Sequence, residues 1–383
     1  MTCTAPPRGM RCRCDHSLCS YYSDFTEGSV IKGHMMRDTM WFKNASGARR
    51  SVSATFGCQT YESGLFFSQV ADGITGLQPE IDFGPTLFDS LRSGTGCPAV
   101  FSICIYDEGG AMVFGGRITD ALEKSAAWAK TTSPHELDLP LRDIRIGGNS
   151  VRVDPRKYEL TLVDSGSTFT YLPSDAYRKV RDHWRTICPW GSCNTREAKG
   201  DYPDDYCYKM SRVELKKFTN LTLHLAGGAV LPIGPLQYGY ELRPGLWCLG
   251  VFQNSDEGAV IGSSAMRDNE VIFDLERHRI AFVPSACKAM HDQQRPSVLE
   301  GGFGLSGCSS QSASPPPFLP PLLPLSPQLP PLNETMNTSI KPSVSGGVGP
   351  YASISHNQTG FLGTSKGMLD PKIKGPKKVG GKL

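Results

Sequence analysis

Residues 158–173 read Tyr-Glu-Leu-Thr-Leu-Val-Asp-Ser-Gly-Ser-Thr-Phe-Thr-Tyr-Leu-Pro. An apolar strand enters an Asp-Ser-Gly-Ser-Thr turn and leaves, through Ser174 and Asp175, as a helix. This stretch constrains the chain more than any other, because a carboxylate at the tip of a tight turn must be held there. Gly166 admits backbone amides close to Asp164, and the hydroxyls of Ser165, Ser167 and Thr168 can donate hydrogen bonds to it. The chemistry such a loop serves needs a second carboxylate facing the first. The two like charges then share one proton, so that the ionised member activates a water while the protonated member hydrogen-bonds a scissile carbonyl. No second Asp-Thr-Gly or Asp-Ser-Gly occurs in the 383 residues. An isolated Asp-Ser-Gly is a common turn; the strand, the Ser/Thr run and the helix around this one make it a catalytic candidate.

Short apolar runs separated by Gly and Pro turns dominate up to residue 290: Ala111-Met-Val-Phe-Gly-Gly, Ile144-Arg-Ile-Gly-Gly, Leu221-Thr-Leu-His-Leu-Ala-Gly-Gly, Glu270-Val-Ile-Phe-Asp-Leu and Arg279-Ile-Ala-Phe-Val. This is an all-β pattern. Helices are expected at Pro85 to Ser93 and at Ser174 to Ile187, where Ala176, Tyr177, Val180 and Trp184 share a face. A weak internal repeat pairs Ala259-Val-Ile-Gly262, expected to pack as a strand beneath the Asp164 loop, with Asp72-Gly-Ile-Thr-Gly76. The interval from Asp164 to Gly262, stepped back from Gly76, ends upstream of Met1, which is where this analogy places the first aspartate. Asp72 itself reads as a turn residue.

Of thirteen cysteines, twelve precede residue 290. Their scatter, outside CxxC pairs, favours disulfides and an oxidising compartment over the cytosol. Asn-x-Ser/Thr sequons at Asn44, Asn220, Asn333, Asn337 and Asn357 agree with a secretory chain. The first twenty residues contain no apolar core of an export signal, so a missing beginning is expected. The net charge of +3 singles out no partner, and no nucleic acid is expected. No stretch reads as a transmembrane helix, since prolines break the run Phe318 to Leu332. Residues 291–383, rich in Pro, Ser and Gly with a basic end at Lys372 to Lys382, read as a disordered tail.

Over positions 12 to 287 the chain resembles the pepsin-like aspartic proteases, in the branch that includes plant nepenthesins and plasmepsin V. The resemblance is carried by Phe56-Gly-Cys58, Glu62-Ser-Gly-Leu-Phe-Phe67, Ala71-Asp-Gly-Ile-Thr-Gly-Leu77, Phe101-Ser-Ile-Cys104, Phe114-Gly-Gly116, Val163 to Pro173, Leu246-Trp-Cys-Leu-Gly250 and Val271-Ile-Phe-Asp-Leu275. It implies an all-β, bilobal pepsin-like fold with an N-terminally truncated first lobe. The segments would be 1–20, remnant of a Cys-rich insert; 21–134, the rest of the N-terminal lobe; 135–290, the C-terminal lobe; and 291–383, the tail. Zinc on Cys12, Cys14, Cys19 and His16 is the rival reading of the Cys-rich start. Cys58 with Cys104 and Cys207 with Cys248 are candidate disulfides, and the sequence leaves the rest of the connectivity open.

It also implies a flap hairpin at Tyr21 to Asp38, with Glu27-Gly-Ser29 at its turn and Gly33 on the return strand. Phe25, Glu27, Gly28 and Ser29 would contact substrate. Phe25 stands where the family carries a tyrosine, so that hydroxyl is lost unless another hairpin register brings in Tyr21 or Tyr22. Glu27 would read a basic residue of the substrate near the scissile bond. The expected function is that of a secretory-pathway aspartic endopeptidase, in the endoplasmic reticulum or Golgi. It would act as a monomer on peptide or protein substrates, with Asp164 as one catalytic aspartate and no metal or organic cofactor. A pseudoprotease that binds peptides without cutting them is the alternative; pairing of two Asp164 loops in a dimer is disfavoured by the first-lobe sequence already present.

Overall fold

The computed structural model describes residues 10–15, 18–25, 28–43, 49–68, 72–78, 86–134, 136–186, 197–199, 206–254, 258–292 and 297–299. Glu27, His16, the sequons other than Asn220, and the stretches 318–332 and 372–382 lie outside these residues.

Strands β1 (Met10–Asp15), β2 (Leu18–Asp24), β3 (Val30–Lys43) and β4 (Arg49–Glu62) form an antiparallel sheet in chain order. Helix α1 (Leu87–Thr95) follows. It begins later than the sequence pattern predicts because Thr86 caps it: the Thr86 hydroxyl accepts from Asp89 N while the Asp89 carboxylate accepts from Thr86 N. Gly96, at φ 68°, supplies the left-handed residue that ends it. Next come β5 (Val100–Tyr106), β6 (Gly109–Phe114), helix α2 (Asp120–Ser125), β7 (Trp128–Lys130), β8 (Asp138–Leu139), β9 (Leu141–Ile146) and β10 (Asn149–Ser150). Strands β11 (Thr161–Asp164) and β12 (Thr170–Leu172) flank the Asp-Ser-Gly turn, and α3 (Ser174–Thr186) continues from it.

The remainder is β13 (Glu197–Lys199), β14 (Tyr206–Lys209), β15 (Leu221–Leu225), β16 (Val230–Ile233), β17 (Gly239–Arg243), β18 (Leu246–Leu249), β19 (Val251–Gln253), β20 (Ala259–Gly262), β21 (Asn269–Asp274) and β22 (Arg279–Pro284).

These strands make four further sheets, ordered β6-β5-β21-β22-β7, β19-β12-β20-β11-β8, β10-β9-β15-β16 and β13-β14-β18-β17. The first joins early and late parts of the chain. Phe101 of β5 lies opposite Phe273 of β21, their rings stacked with centroids 4.5 Å apart. Between the sheets, Leu139, Leu141, Ile144, Leu172, Leu223 and Leu231 are completely buried, each worth about 1.5–3 kcal/mol of apolar transfer. The expected face of α3 packs into this core, and Trp184 Nε1 donates to Tyr206 O at 2.9 Å.

Three expectations need correction. Cys58 does not pair with Cys104. Cys104 bonds Cys287, carried over β5 and β6 by the helix Cys287–His291, and Cys58 is an exposed free thiol on the first sheet. Cys207–Cys248 forms as expected, between directly opposed residues of β14 and β18. Secondly, Asp72–Gly76, expected as the counterpart of the strand Ala259–Gly262, forms no strand; among the described residues none pairs with it as β11 pairs with β20, and Ile74 is 39% exposed. Thirdly, packed structure continues past residue 291. The buried Glu270 carboxylate accepts from the Ser102 and Ser297 hydroxyls and from Val298 N, and Leu299 is fully buried against Gly116. A buried carboxylate must be so satisfied, and this one recruits the segment 297–299 to do it. The zinc reading also loses two of its four ligands, because Cys14 is bonded to Cys19, its direct neighbour across the β1–β2 hairpin.

Candidate active site

Asp164 ends β11. That strand runs parallel to β20, with Asp164 opposite Gly262, and antiparallel to β8, with Leu162 opposite Asp138. The chain then turns over β20 and returns as β12 on its other side, Tyr171 opposite Val260. Gly166 N donates to Asp164 Oδ1 at 2.8 Å and the Ser167 hydroxyl donates to Oδ2 at 2.7 Å. Each carboxylate oxygen therefore receives a donor from the turn itself, which fixes its plane.

The turn is pinned from below. Ser263 N donates to Ser167 O at 2.7 Å and Ser264 N to Thr168 O at 3.0 Å. Gly262 makes this docking possible, since a Cβ there would stand 2.1 Å from Phe169 O. Ser165 and Thr168 are half-buried, Thr168 serving through its carbonyl. The clamp from residues 263–264 was not anticipated from sequence; its signal was the Gly-Ser-Ser that follows the apolar strand.

Beyond the turn, Phe169 packs on Tyr240 and Phe252, with centroids 4.8 and 5.2 Å away, and Tyr171 faces Phe252 at 5.9 Å. Burial, and then the Asp164 charge, push the Tyr171 phenol up to about 12, so it stays neutral beside the carboxylate. A second acid occupies the same sheet face. Asp138 lies across from Leu162, two positions before Asp164; it is 2% exposed and its Oδ1 has no hydrogen-bond partner among the described residues. Burial, and then the Glu136 carboxylate, raise it to about 6.

The expected flap is a hairpin of β2 and β3. Tyr21 lies opposite Gly33 and Asp24 opposite Val30. Gly28, at φ 94°, closes the turn by donating from N to Phe25 O, and Phe25 N donates to Ser29 O, both at 2.9 Å. Phe25 is half-buried against Phe66, and Ser29 is 1% exposed with its hydroxyl accepting from Leu65 N. Tyr21 provides no cleft hydroxyl. Its ring fills the space left by Gly33 and Gly57, where a Cβ would come within 2.9 and 2.6 Å of it. The hydrogen bonds of Gly28 and Ser29 run within the hairpin and to Leu65, whereas those of the Asp164 turn run to residues 263 and 264.

Comparison with known proteins agrees with this geometry. The family described as "Xylanase inhibitor N-terminal" matches residues 1–116, and "Xylanase inhibitor C-terminal" matches residues 138–284. Plasmepsin V of Plasmodium falciparum is 22% identical over 76% of the chain, and aspartic protease 5 of Toxoplasma gondii is 24% identical over 79% of it. Aspartic proteinase nepenthesin-2 of Nepenthes gracilis is 24% identical over 72%. The chain spans 62%, 31% and 63% of the lengths of these three relatives, respectively. With a mostly β architecture and the pinned Asp-Ser-Gly turn, both halves of the match converge on one assignment: the chain belongs to the pepsin-like aspartic proteases.

Proposed function

We propose that this chain is part of an aspartic endopeptidase that hydrolyses peptide bonds of proteins in the secretory pathway, with Asp164 as one of its two catalytic aspartates. The observation that carries this reading is the Asp164 carboxylate, held by Gly166 N and the Ser167 hydroxyl on a turn pinned to β20. In the reaction the ionised member of the pair takes a proton from water, whose oxygen attacks the scissile carbonyl carbon. The protonated member hydrogen-bonds the carbonyl oxygen, and the leaving amine takes a proton as the C–N bond breaks.

The partner aspartate, in this reading, sits on a second Asp-Thr-Gly or Asp-Ser-Gly loop, which the 383 residues do not contain. The hairpin 21–38 is the flap, where Phe25 and Gly28 line the substrate path and Glu27 pairs with a basic residue near the scissile bond, while Ser29, expected to touch substrate, is buried and braces the turn through Leu65 N. The disulfides Cys14–Cys19, Cys104–Cys287 and Cys207–Cys248 support residence in the endoplasmic reticulum or Golgi.

A second reading is favoured by Phe25 and by the inhibitor descriptions of the two matched families: a peptide-binding protein that does not cut. Peptide cleavage by the protein made from its complete reading frame, with and without Asp164→Ala, separates the two. Cleavage abolished by the substitution supports the endopeptidase; persistence in the variant refutes the assignment of Asp164. Peptide binding without cleavage in the unaltered protein supports the second reading.

A further inference from the structure

We infer that Asn220 carries an N-linked glycan, a modification that makes the outer corner of the β9–β15 sheet part of the solvent-facing surface of the mature protein. Asn220-Leu-Thr222 is the one sequon whose three residues are all among those described. Asn220 is exposed and stands one residue before β15. Its backbone is committed, with the carbonyl accepting from Gly147 N at 3.0 Å, but its carboxamide makes no hydrogen bond to another described residue. Exposed Asn side chains at such junctions commonly cap a turn or helix. Here those tasks are taken by other residues: Ser211 caps the preceding helix Arg212–Leu215, and Gly147 makes the adjacent turn at φ 57°.

The corner also has room. A side chain at Gly148 would meet nothing within 4 Å, and one at Gly234 would approach Asn220 Oδ1 only to 3.9 Å. A saccharide leaving Asn220 therefore displaces no packed group. The opposite end of β15 meets the rest of the molecule: Ala226 N donates to Pro140 O, and Gly227 lies against Trp128 of β7. The strand carries the glycan about 20 Å from that contact, at about 3.3 Å per residue.

Attachment precedes folding, because Thr222 is half-buried in the finished strand with its hydroxyl 3.1 Å from His224 Nε2. The donor is a lipid-diphosphate-linked oligosaccharide. The Asn220 amide nitrogen forms a bond to the anomeric carbon and gives up one proton, while the bond from that carbon to the diphosphate oxygen breaks and the lipid diphosphate leaves.

The inference rests on the secretory placement proposed above, and the test separates the two. Protein isolated from its own cells is treated with an amidase that releases N-glycans in ¹⁸O water, then mapped by mass spectrometry along with its disulfides. The expected result is Asn220 converted to ¹⁸O-labelled Asp with Cys104–Cys287 and Cys207–Cys248 formed. In a secretory host, Asn220→Gln removes one glycan from the intact protein and Thr222→Ser retains it. Formed disulfides with Asn220 unlabelled would overturn the glycan; free Cys104, Cys287, Cys207 and Cys248 would overturn the secretory placement and the glycan with it.

Discussion

Asp138→Asn should stabilise the protein at neutral pH and lose that advantage in acid. Asp138 is 2% exposed, its Oδ1 has no partner among the described residues, and its carboxyl is raised from 3.8 to about 6, by burial first and Glu136 second. A raised carboxyl binds its proton more tightly in the folded chain than in the unfolded one. Its contribution is therefore complete below the ordinary carboxylate range, falls as pH rises toward about 6, and is absent above. At about 1.4 kcal/mol per pH unit between the two values, ionising Asp138 costs the fold about 3 kcal/mol at neutral pH. Asparagine is neutral throughout. Its own burial penalty is the same at every pH, so the informative quantity is how the difference between variant and parent changes. Urea unfolding at pH 4 and pH 7.5 should show that difference moving in favour of Asp138→Asn by about 2–3 kcal/mol. A movement below about 0.5 kcal/mol would refute the reasoning, because it would mean that Asp138 titrates at its ordinary value. The cost also reaches the site, since β8 is hydrogen-bonded to β11 through Val163 N and Leu137 O at 3.2 Å. Cleavage by the parent should accordingly decline above pH 6 more steeply than cleavage by Asp138→Asn.

Ser167→Ala removes the hydroxyl on Asp164 Oδ2, a charge-assisted bond worth about 1.5–3 kcal/mol, and should lower kcat/KM about 10- to 100-fold and lower the stability in urea unfolding by a similar free energy. Gly262→Ala places a methyl group against Phe169 O and should abolish cleavage while the protein still folds; retained activity would show that the turn tolerates displacement from β20. Trp184→Ala empties a buried site under α3 and strands Tyr206 O, at a cost of about 3–5 kcal/mol in urea unfolding. Breaking Cys104–Cys287 with Cys287→Ser should cost about 2–5 kcal/mol, whereas Cys58→Ser, at an exposed free thiol, should leave stability within about 0.5 kcal/mol.

What could be read in advance was local. The alternation in Leu221–Leu225 and the apolar run Val271–Phe273 marked strands, the i, i+3, i+4 spacing from Ala176 to Trp184 marked α3, and the run Asp164 to Thr168 marked the candidate catalytic turn. All of these depend on residues within a few positions of one another. Donors to Asp164 were likewise foreseeable at Gly166 and Ser167, because the turn is closed within itself. The clamp on Ser167 and Thr168 was hidden, because residues 263 and 264 come nearly a hundred positions later and act through backbone amides, which every sequence has.

The amino-acid sequence by itself determined the class of fold, the Asp-Ser-Gly turn and the helix that follows it, since period and turn chemistry act at short range. Only the tertiary structure decided which groups were buried and which met. It tied Cys104 to Cys287 across 183 residues, turned Tyr21 inward onto two glycines and sealed Asp138 beside β11. It also brought Ser297–Leu299 back onto Glu270. Each of these outcomes is set by sheet order and strand register, which no local pattern encodes, because register is chosen by the simultaneous burial of all the faces that the sheets enclose.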